Sequence, residues 1–301
     1  VTSSHDPPIV AVVNPISGGG ASRRLWTAVA AELTEAGRRD LEVVESESSE
    51  HATAAAAAAA HRGAVTVAVG GDGHVRDVAS GVLTVDDAPM AIAAAGRGND
   101  LVRHLGLPTD PAGIARVIAD GHRRRLDVLD VTRPDGTVAV AVGNVYAGLD
   151  SEATELINGV RWMGRLAYRV APVLSALRWK PMAVSLTVDG VTHRLPAHLV
   201  VIANSGEYGH GLRIVPTASV DSGRIEILVV DGTQWTFRLA ALMNEAKTGA
   251  HVRRRDVRLL SGTRVELTID RPLPVHADGD YLCRPPVTVA VRAAALPVLT
   301  G

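Results

Sequence analysis

Apolar positions recur in short blocks along the first third of the chain. Residues 9–13, 65–69 and 90–94 are almost wholly Val, Ile, Ala and Met, the pattern of strands buried on both faces, and residues 41–44 read as a fourth strand. Between them Leu25, Trp26, Val29, Ala30 and Leu33 recur at helical spacing. Residues 51–61 contain seven consecutive alanines. Alanine is the best intrinsic helix former, so a helix is expected there, a low-complexity linker being the alternative. Further helices are expected at 75–83 and 110–120. Strands alternating with helices at this spacing predict a parallel α/β sheet.

Beyond residue 126 the pattern changes. Residues 126–131, 138–145, 182–188, 198–203, 225–230, 264–269 and 287–291 read as strands, many separated by Gly, Pro and Asp turns. Helical stretches interrupt them near 162–177 and 235–248. The expectation is an α/β domain at residues 1–123 and a mostly antiparallel β domain at 124–301, divided near Gly121-His122-Arg123-Arg124-Arg125. The last residues are free to return to the first domain.

Composition narrows the function. A chain of 301 residues exceeds the usual single core, and 47% hydrophobic residues with only 3% aromatics make its cores aliphatic. A formal net charge of −1 argues against a nucleic-acid partner. Cys283, the only cysteine, excludes an internal disulfide and a Cys-based zinc site. Residues 1–8 lack a signal-peptide pattern, and no run of about 18 apolar residues occurs, so a cytoplasmic protein without a membrane span is expected. A homodimer is compatible with the sequence.

Three glycine-bearing turns follow predicted strands. Gly70-Gly71-Asp72-Gly73 allows backbone N–H groups to approach phosphate oxygens, with the N-terminus of the next helix aimed at the same place. Asp72 is an oxygen ligand of the type Mg²⁺ prefers. Asn14-Pro15-Ile16-Ser17-Gly18 supplies small donors, and Gly96-Arg97-Gly98-Asn99-Asp100 a cation, an amide and a carboxylate. A tight strand-to-helix turn is the bland reading of each taken alone. No Walker lysine follows the glycines, and the dinucleotide fingerprint is missing at the first turn. In parallel sheets such turns lie together at the strands' carboxyl ends, where ligands bind.

In the order and spacing of these turns, and in Asp278-Gly279-Asp280, the chain resembles the diacylglycerol kinase catalytic-domain family, which includes bacterial lipid kinases and sphingosine kinases. The resemblance covers nearly the whole chain. It implies a nucleotide-binding first domain, a lipid-substrate second domain and ATP in a cleft between them. It implies phosphate contacts from Asn14, Pro15, Ile16, Ser17 and Gly18, from Gly70, Gly71, Asp72, Gly73, His74, Val75 and Arg76, and from Ser46, Arg97 and Asn99. It implies Mg²⁺ near Asp72 and Asp100, a structural magnesium near Asp221, and a base in the late motif. Of its two carboxylates Asp278 is the first choice and Asp280 the second. In extended geometry both side chains would point the same way.

The chain departs from the family pattern at four places. His74 and Arg97 stand where the family has threonine. Asp280 stands for glutamate, one methylene shorter. In Asp221-Ser222-Gly223 the carboxylate lies one residue early. His74 is read as a phosphate donor able to switch charge near neutral pH, or else as an ordinary first-turn residue. The expected activity is ATP- and Mg²⁺-dependent phosphorylation of a hydroxyl on a diacylglycerol-like lipid met at the membrane surface, in phospholipid metabolism. The alternatives are a soluble-metabolite kinase of the NAD-kinase type and a nucleotide-binding module without catalysis. The apolar, arginine-bearing segment 162–174 is read as a helix packed on the β domain or as a membrane contact. Arg253-Arg254-Arg255 with Arg258 is read as a solvated turn or a site for anionic head groups.

Overall fold

The computed structural model describes residues 7–149, 179–209, 211–233 and 238–301. The chain divides into two compact units, Val1–Val128 with Arg292–Gly301, and Leu129–Val291.

In the first unit, strands β1 (Ile9–Val13), β2 (Leu41–Glu45), β3 (Val65–Gly70) and β4 (Met90–Ala94) pair in parallel in the order β2-β1-β3-β4. The end of the last strand, β15 (Val287–Leu299), adds beside β4 through Val298 and Met90. Alternation sorts the faces. Ile9, Ala11 and Val13 pack with Val67, Val69 and Ala93 against Trp26, Val29 and Leu33 of α1 (Ala21–Glu35) and Ile114 and Ile118 of α5 (Pro111–Asp120). On the other face Val10 packs with Ala59 and Ala64. Helices α2 (Ser49–His61) and α3 (Asp72–Val82) are the most closely packed pair, because the alanine run presents no bulk. Ala52, Ala56 and Ala59 are wholly buried, and a Cβ at Gly81 would collide with the Thr53 carbonyl. The alanine run is therefore a packed helix and not a linker. A short helix, α4 (Asp100–Leu105), was not legible in the sequence. It begins after Asn99, which adopts a left-handed φ of 54°.

Gly121 ends α5 in the left-handed conformation, and Arg123, Arg124 and Arg125 open β5 (Arg123–Thr132). The chain passes to the second unit within β5 and returns within β15. The second unit is antiparallel. Strands β7 (Asn144–Gly148), β8 (Met182–Val188), β9 (Val191–Ala203), β12 (Arg264–Ile269), β13 (Val275–Ala277) and β14 (Asp280–Cys283) run in the order β14-β13-β7-β9-β8-β12, with the start of β15 next. Strand β10 (Ile225–Asp231) pairs with β9 and with β11 (Val257–Gly262), and β6 (Val138–Ala141) pairs with β5. Alternate residues of β9 serve two cores. Val200 and Ile202 enter one with Val145, Ile227 and Val275. Leu199 and Val201 enter the other with Tyr146, Leu228 and Leu242 of α6 (Arg238–Ala246).

The strand expected at 138–145 is broken: Val142 and Gly143 separate β6 from β7, since their N–H groups serve Asp278 instead of a ladder. The helix expected near 235–248 is α6, and the stretches expected at 162–177 and 162–174 lie outside the described residues. Among the described residues no helix is long and apolar enough to cross a membrane.

Candidate active site

The three glycine turns of the first unit meet at the carboxyl ends of β1, β3 and β4. A Cβ at Gly96 would stand 2.6 Å from the Gly71 Cα, and one at Gly18 2.6 Å from the Ala95 carbonyl, so each turn closes on the next only with hydrogen there. Ser17 Oγ donates to that same carbonyl (3.2 Å). Asn14 Oδ1 accepts from the Ile16 N–H (3.2 Å), and Asn14's own carbonyl accepts from Ser22 Oγ (2.5 Å). Beside these turns lies a cavity of about 540 Å³ lined by Asn14, Pro15, Ile16, Ser46, His74 and Asp77 among others. Ser46 is buried, its hydroxyl 3.2 Å from the Val13 carbonyl. At the rim Arg23 and Glu45 form a bidentate ion pair at 2.6 Å, exposed on both sides.

Asp72 opens α3, and its carboxylate accepts the N–H groups of Asn99 (2.8 Å) and Asp100 (2.9 Å). The second and third turns are thereby tied through one side chain. Asn99 completes the tie by accepting the Gly96 N–H on Oδ1 (2.9 Å). A Cβ at Gly98 would lie 2.7 Å from Asp72 Oδ2 and 3.5 Å from Asp100 Oδ2, so the two carboxylates converge over this glycine. Burial pushes the Asp72 carboxyl above its ordinary value, the Asp100 charge pushes the same way, and the N–H bonds oppose both. Two converging carboxylates with hard oxygen donors fit Mg²⁺, which takes one or two carboxylates and completes its shell with phosphate and water. Asp221 is apart from them in the sequence and in unit, on an exposed loop where Ser219 Oγ donates to it (2.6 Å). Among the described residues no group of three or more His, Cys, Asp or Glu side chains forms a metal cluster.

In the first unit the structure gives the side chains of His74 and Arg76 protein partners. His74 is 5% exposed, and its Nε2–H donates to the Val12 carbonyl (2.9 Å). Burial holds its imidazole below the ordinary value, and the ring ties α3 to β1, which favours the reading of His74 as an ordinary first-turn residue. Gly70 is needed to seat it, since a Cβ there would stand 2.7 Å from the ring. The Arg76 guanidinium pairs with Asp77 (2.9 Å) where both are largely buried, and Val75 is buried. Arg97 is exposed between Gly96 and Gly98.

In the second unit the late motif is a hairpin tip. Asp278 (φ 50°) and Gly279 (φ 93°) form a two-residue turn between β13 and β14 with both φ positive, as tight hairpins require. The extended geometry expected for Asp278 and Asp280 is therefore corrected: the chain reverses between them. The Asp278 carboxylate accepts three backbone N–H groups, from Val142 (2.8 Å), Gly143 (2.8 Å) and Asn144 (3.0 Å). These bonds commit most of its acceptor capacity. Asp280, at the start of β14, is exposed. Val142, Gly143 and Asn144 were missed in the sequence, where they read as the middle of a strand.

Residues 8–131 match the diacylglycerol kinase catalytic domain, and residues 143–300 match the YegS C-terminal NAD kinase beta sandwich-like domain. Over 298 residues the chain is 33% identical to a diacylglycerol kinase of Mycobacterium tuberculosis (strain ATCC 25618 / H37Rv), covering 97% of this chain and 94% of the relative. A diacylglycerol kinase of Bacillus subtilis (strain 168) is 22% identical over 282 residues, covering 90% and 88%. A crystal structure of a diacylglycerol kinase from Bacillus anthracis str. Sterne superposes with a TM-score of 0.76 at 21% identity, covering 98% and 97%, a likeness of fold.

Proposed function

The chain belongs to the diacylglycerol kinase family of lipid kinases, and from that premise we propose that it transfers the γ-phosphoryl group of ATP, with Mg²⁺, to a hydroxyl of a diacylglycerol-like lipid. The observation that carries the reading is the closure of the second and third turns on each other, with Asp72 and Asp100 converging over Gly98.

Phosphoryl transfer asks a protein chiefly for positioning and charge neutralisation. The turns at Asn14–Gly18, Gly70–Gly73 and 96–99 would hold the phosphates through backbone N–H groups, helped by the N-terminus of α3. The Arg97 cation would add a charge-assisted bond. Bound by Asp72 and Asp100, Mg²⁺ would neutralise charge on the phosphate oxygens.

The acceptor alcohol loses its proton as its oxygen bonds to the γ-phosphorus, and the bond from that phosphorus to the β-bridging oxygen breaks, releasing ADP. Asp280 is the better proton acceptor of the late pair. It is exposed, whereas Asp278 is committed to three N–H donors and acts as an anchor. The substrate would be met at a membrane surface from the cytoplasm.

The test is transfer of radiolabel from γ-labelled ATP, with and without Mg²⁺, to diacylglycerol, monoacylglycerol, sphingoid bases and phosphatidylglycerol in mixed micelles, and to NAD. Mg²⁺-dependent label in diacylglycerol is expected. Label in NAD and in no lipid would overturn the acceptor, and ATP binding without any transfer would overturn catalysis.

A further inference from the structure

The tripeptide Val142-Gly143-Asn144 joins two parts of the second unit. Toward the hairpin, its three N–H groups hold the Asp278 carboxylate, and the Asn144 carbonyl accepts the Asp278 N–H (3.0 Å). Toward the loop after β9, the Gly143 carbonyl accepts the N–H groups of Asn204 (2.9 Å) and Ser205 (3.2 Å), and the Val142 carbonyl accepts Asn204 Nδ2 (2.8 Å). Gly143 has no room for a side chain, because a Cβ would stand 2.9 Å from Asp278 Oδ1.

Asn144 contributes the one side chain of the three that reaches the loop. It is 4% exposed, and its Nδ2 donates to Ser205 Oγ (3.2 Å) and to the Glu207 carbonyl (2.9 Å). Its Oδ1 is buried without a hydrogen-bond partner. Flipping the amide would place that oxygen against the Glu207 carbonyl, so the two donated bonds set its orientation at the expense of the acceptor. Asn144 thus clasps Asp278, two residues in sequence from Asp280, with its backbone and residues 205–207 with its side chain.

We infer that Asn144 is a positioning residue, which holds the Asp278-Gly279 turn in register with the 205–207 loop and so fixes Asp280 for deprotonating the acceptor; this rests on the role proposed for Asp280. Substitution of Asn144 leaves its backbone bonds and the Gly143 and Val142 bonds to Asn204 and Ser205 possible, and cuts only the side-chain bonds to Ser205 and Glu207.

Steady-state kinetics of Asn144→Ala, Ser205→Ala, Ser205→Thr and Asp280→Asn in the full chain test it, alongside thermal unfolding. In Asn144→Ala kcat should fall about tenfold or more, the scale of a slightly misplaced reacting group, while the KM for ATP changes less than about twofold. Ser205→Ala should lower kcat less and Ser205→Thr should restore it. The Asn144→Ala and Ser205→Ala losses should combine to less than their product, since both cut one link. A folded Asn144→Ala with unchanged kcat, or a loss accompanied by an equal rise in the KM for ATP, would overturn the inference. Should Asn144→Ala not fold, unchanged kcat in Ser205→Ala overturns it, and a loss restored by Ser205→Thr supports it. An active Asp280→Asn sinks this inference together with the reading it rests on. An inactive Asp280→Asn beside a fully active Asn144→Ala sinks this one alone.

Discussion

Asp278 and Asp280 should fail differently when each is made an amide. Asp280→Asn is expected to lower kcat by about 10²-fold or more with the KM for ATP and the melting temperature little changed, the mark of lost general-base catalysis. Asp278→Asn turns an amide N–H toward backbone N–H groups that now donate to a carboxylate. Leaving such a donor unsatisfied costs about 1–3 kcal/mol, so this variant should melt several degrees lower as well as lose activity. A dead, normally melting Asp278→Asn beside an active Asp280→Asn would exchange the roles. Across the same reaction, Arg97→Ala should raise the KM for ATP by about tenfold and leave the lipid KM alone, the scale of one charge-assisted bond. An unchanged KM for ATP would make Arg97 an ordinary loop residue. At this scale the sequence singled out His74 and Asp278 but gave no sign of the partners that hold them. His74 looked like a phosphate ligand because it follows the glycine turn, and nothing local signals that its ring reaches the Val12 carbonyl, 62 positions away.

Helices α2 and α3 show how composition becomes packing. Seven alanines first suggest only helix propensity, yet their lack of bulk lets α3 approach until Gly81 faces the α2 backbone. Gly81→Ala would gain about 1 kcal/mol of helix propensity and lose about 1–3 kcal/mol to overpacking, with Ala56 Cβ and Ala57 N each at 2.8 Å from the added carbon. The net expectation is a lower melting temperature, and a variant more stable than the parent would show that the helices can part freely. Strands β1, β3 and β4 were legible as short unbroken apolar blocks, and helices α1 and α5 because burial repeats at the helical period. Strands β13 and β14 were not, since three or four residues are too few to show a period.

Both units should lose stability in acid, through His74 in the first and His251 among the buried histidines of the second. His74 in the first and His251 in the second are pushed by burial below the ordinary value of about 6.5. A proton added to His251 would fall on Nδ1, which is buried without an acceptor, while Nε2 already donates to the Ile214 carbonyl (2.8 Å). The unfolded chain binds these protons more readily. The stabilisation is therefore present above about pH 6.5 and is lost as pH falls toward the lower folded-state values. Asp72, whose folded value is raised, acts in the opposite sense at lower pH. Denaturant midpoints should drop between pH 7.5 and 5.5, with a smaller drop in His251→Gln; equal drops in the two proteins would discount His251. The sequence by itself determined the alternation of strands and helices in the first unit, the change from parallel to antiparallel pairing and the position of three glycine-bearing turns at strand ends. Each of these follows from side-chain periodicity and glycine placement within a few tens of residues. Only the tertiary structure decided which carboxylates are engaged. Asp278 meets N–H donors more than 130 residues earlier in the chain, and Asp72 meets those of the next turn across the sheet. A hydrogen bond between distant residues leaves no periodicity behind, because it depends on where two loops are carried and not on what surrounds either one in sequence.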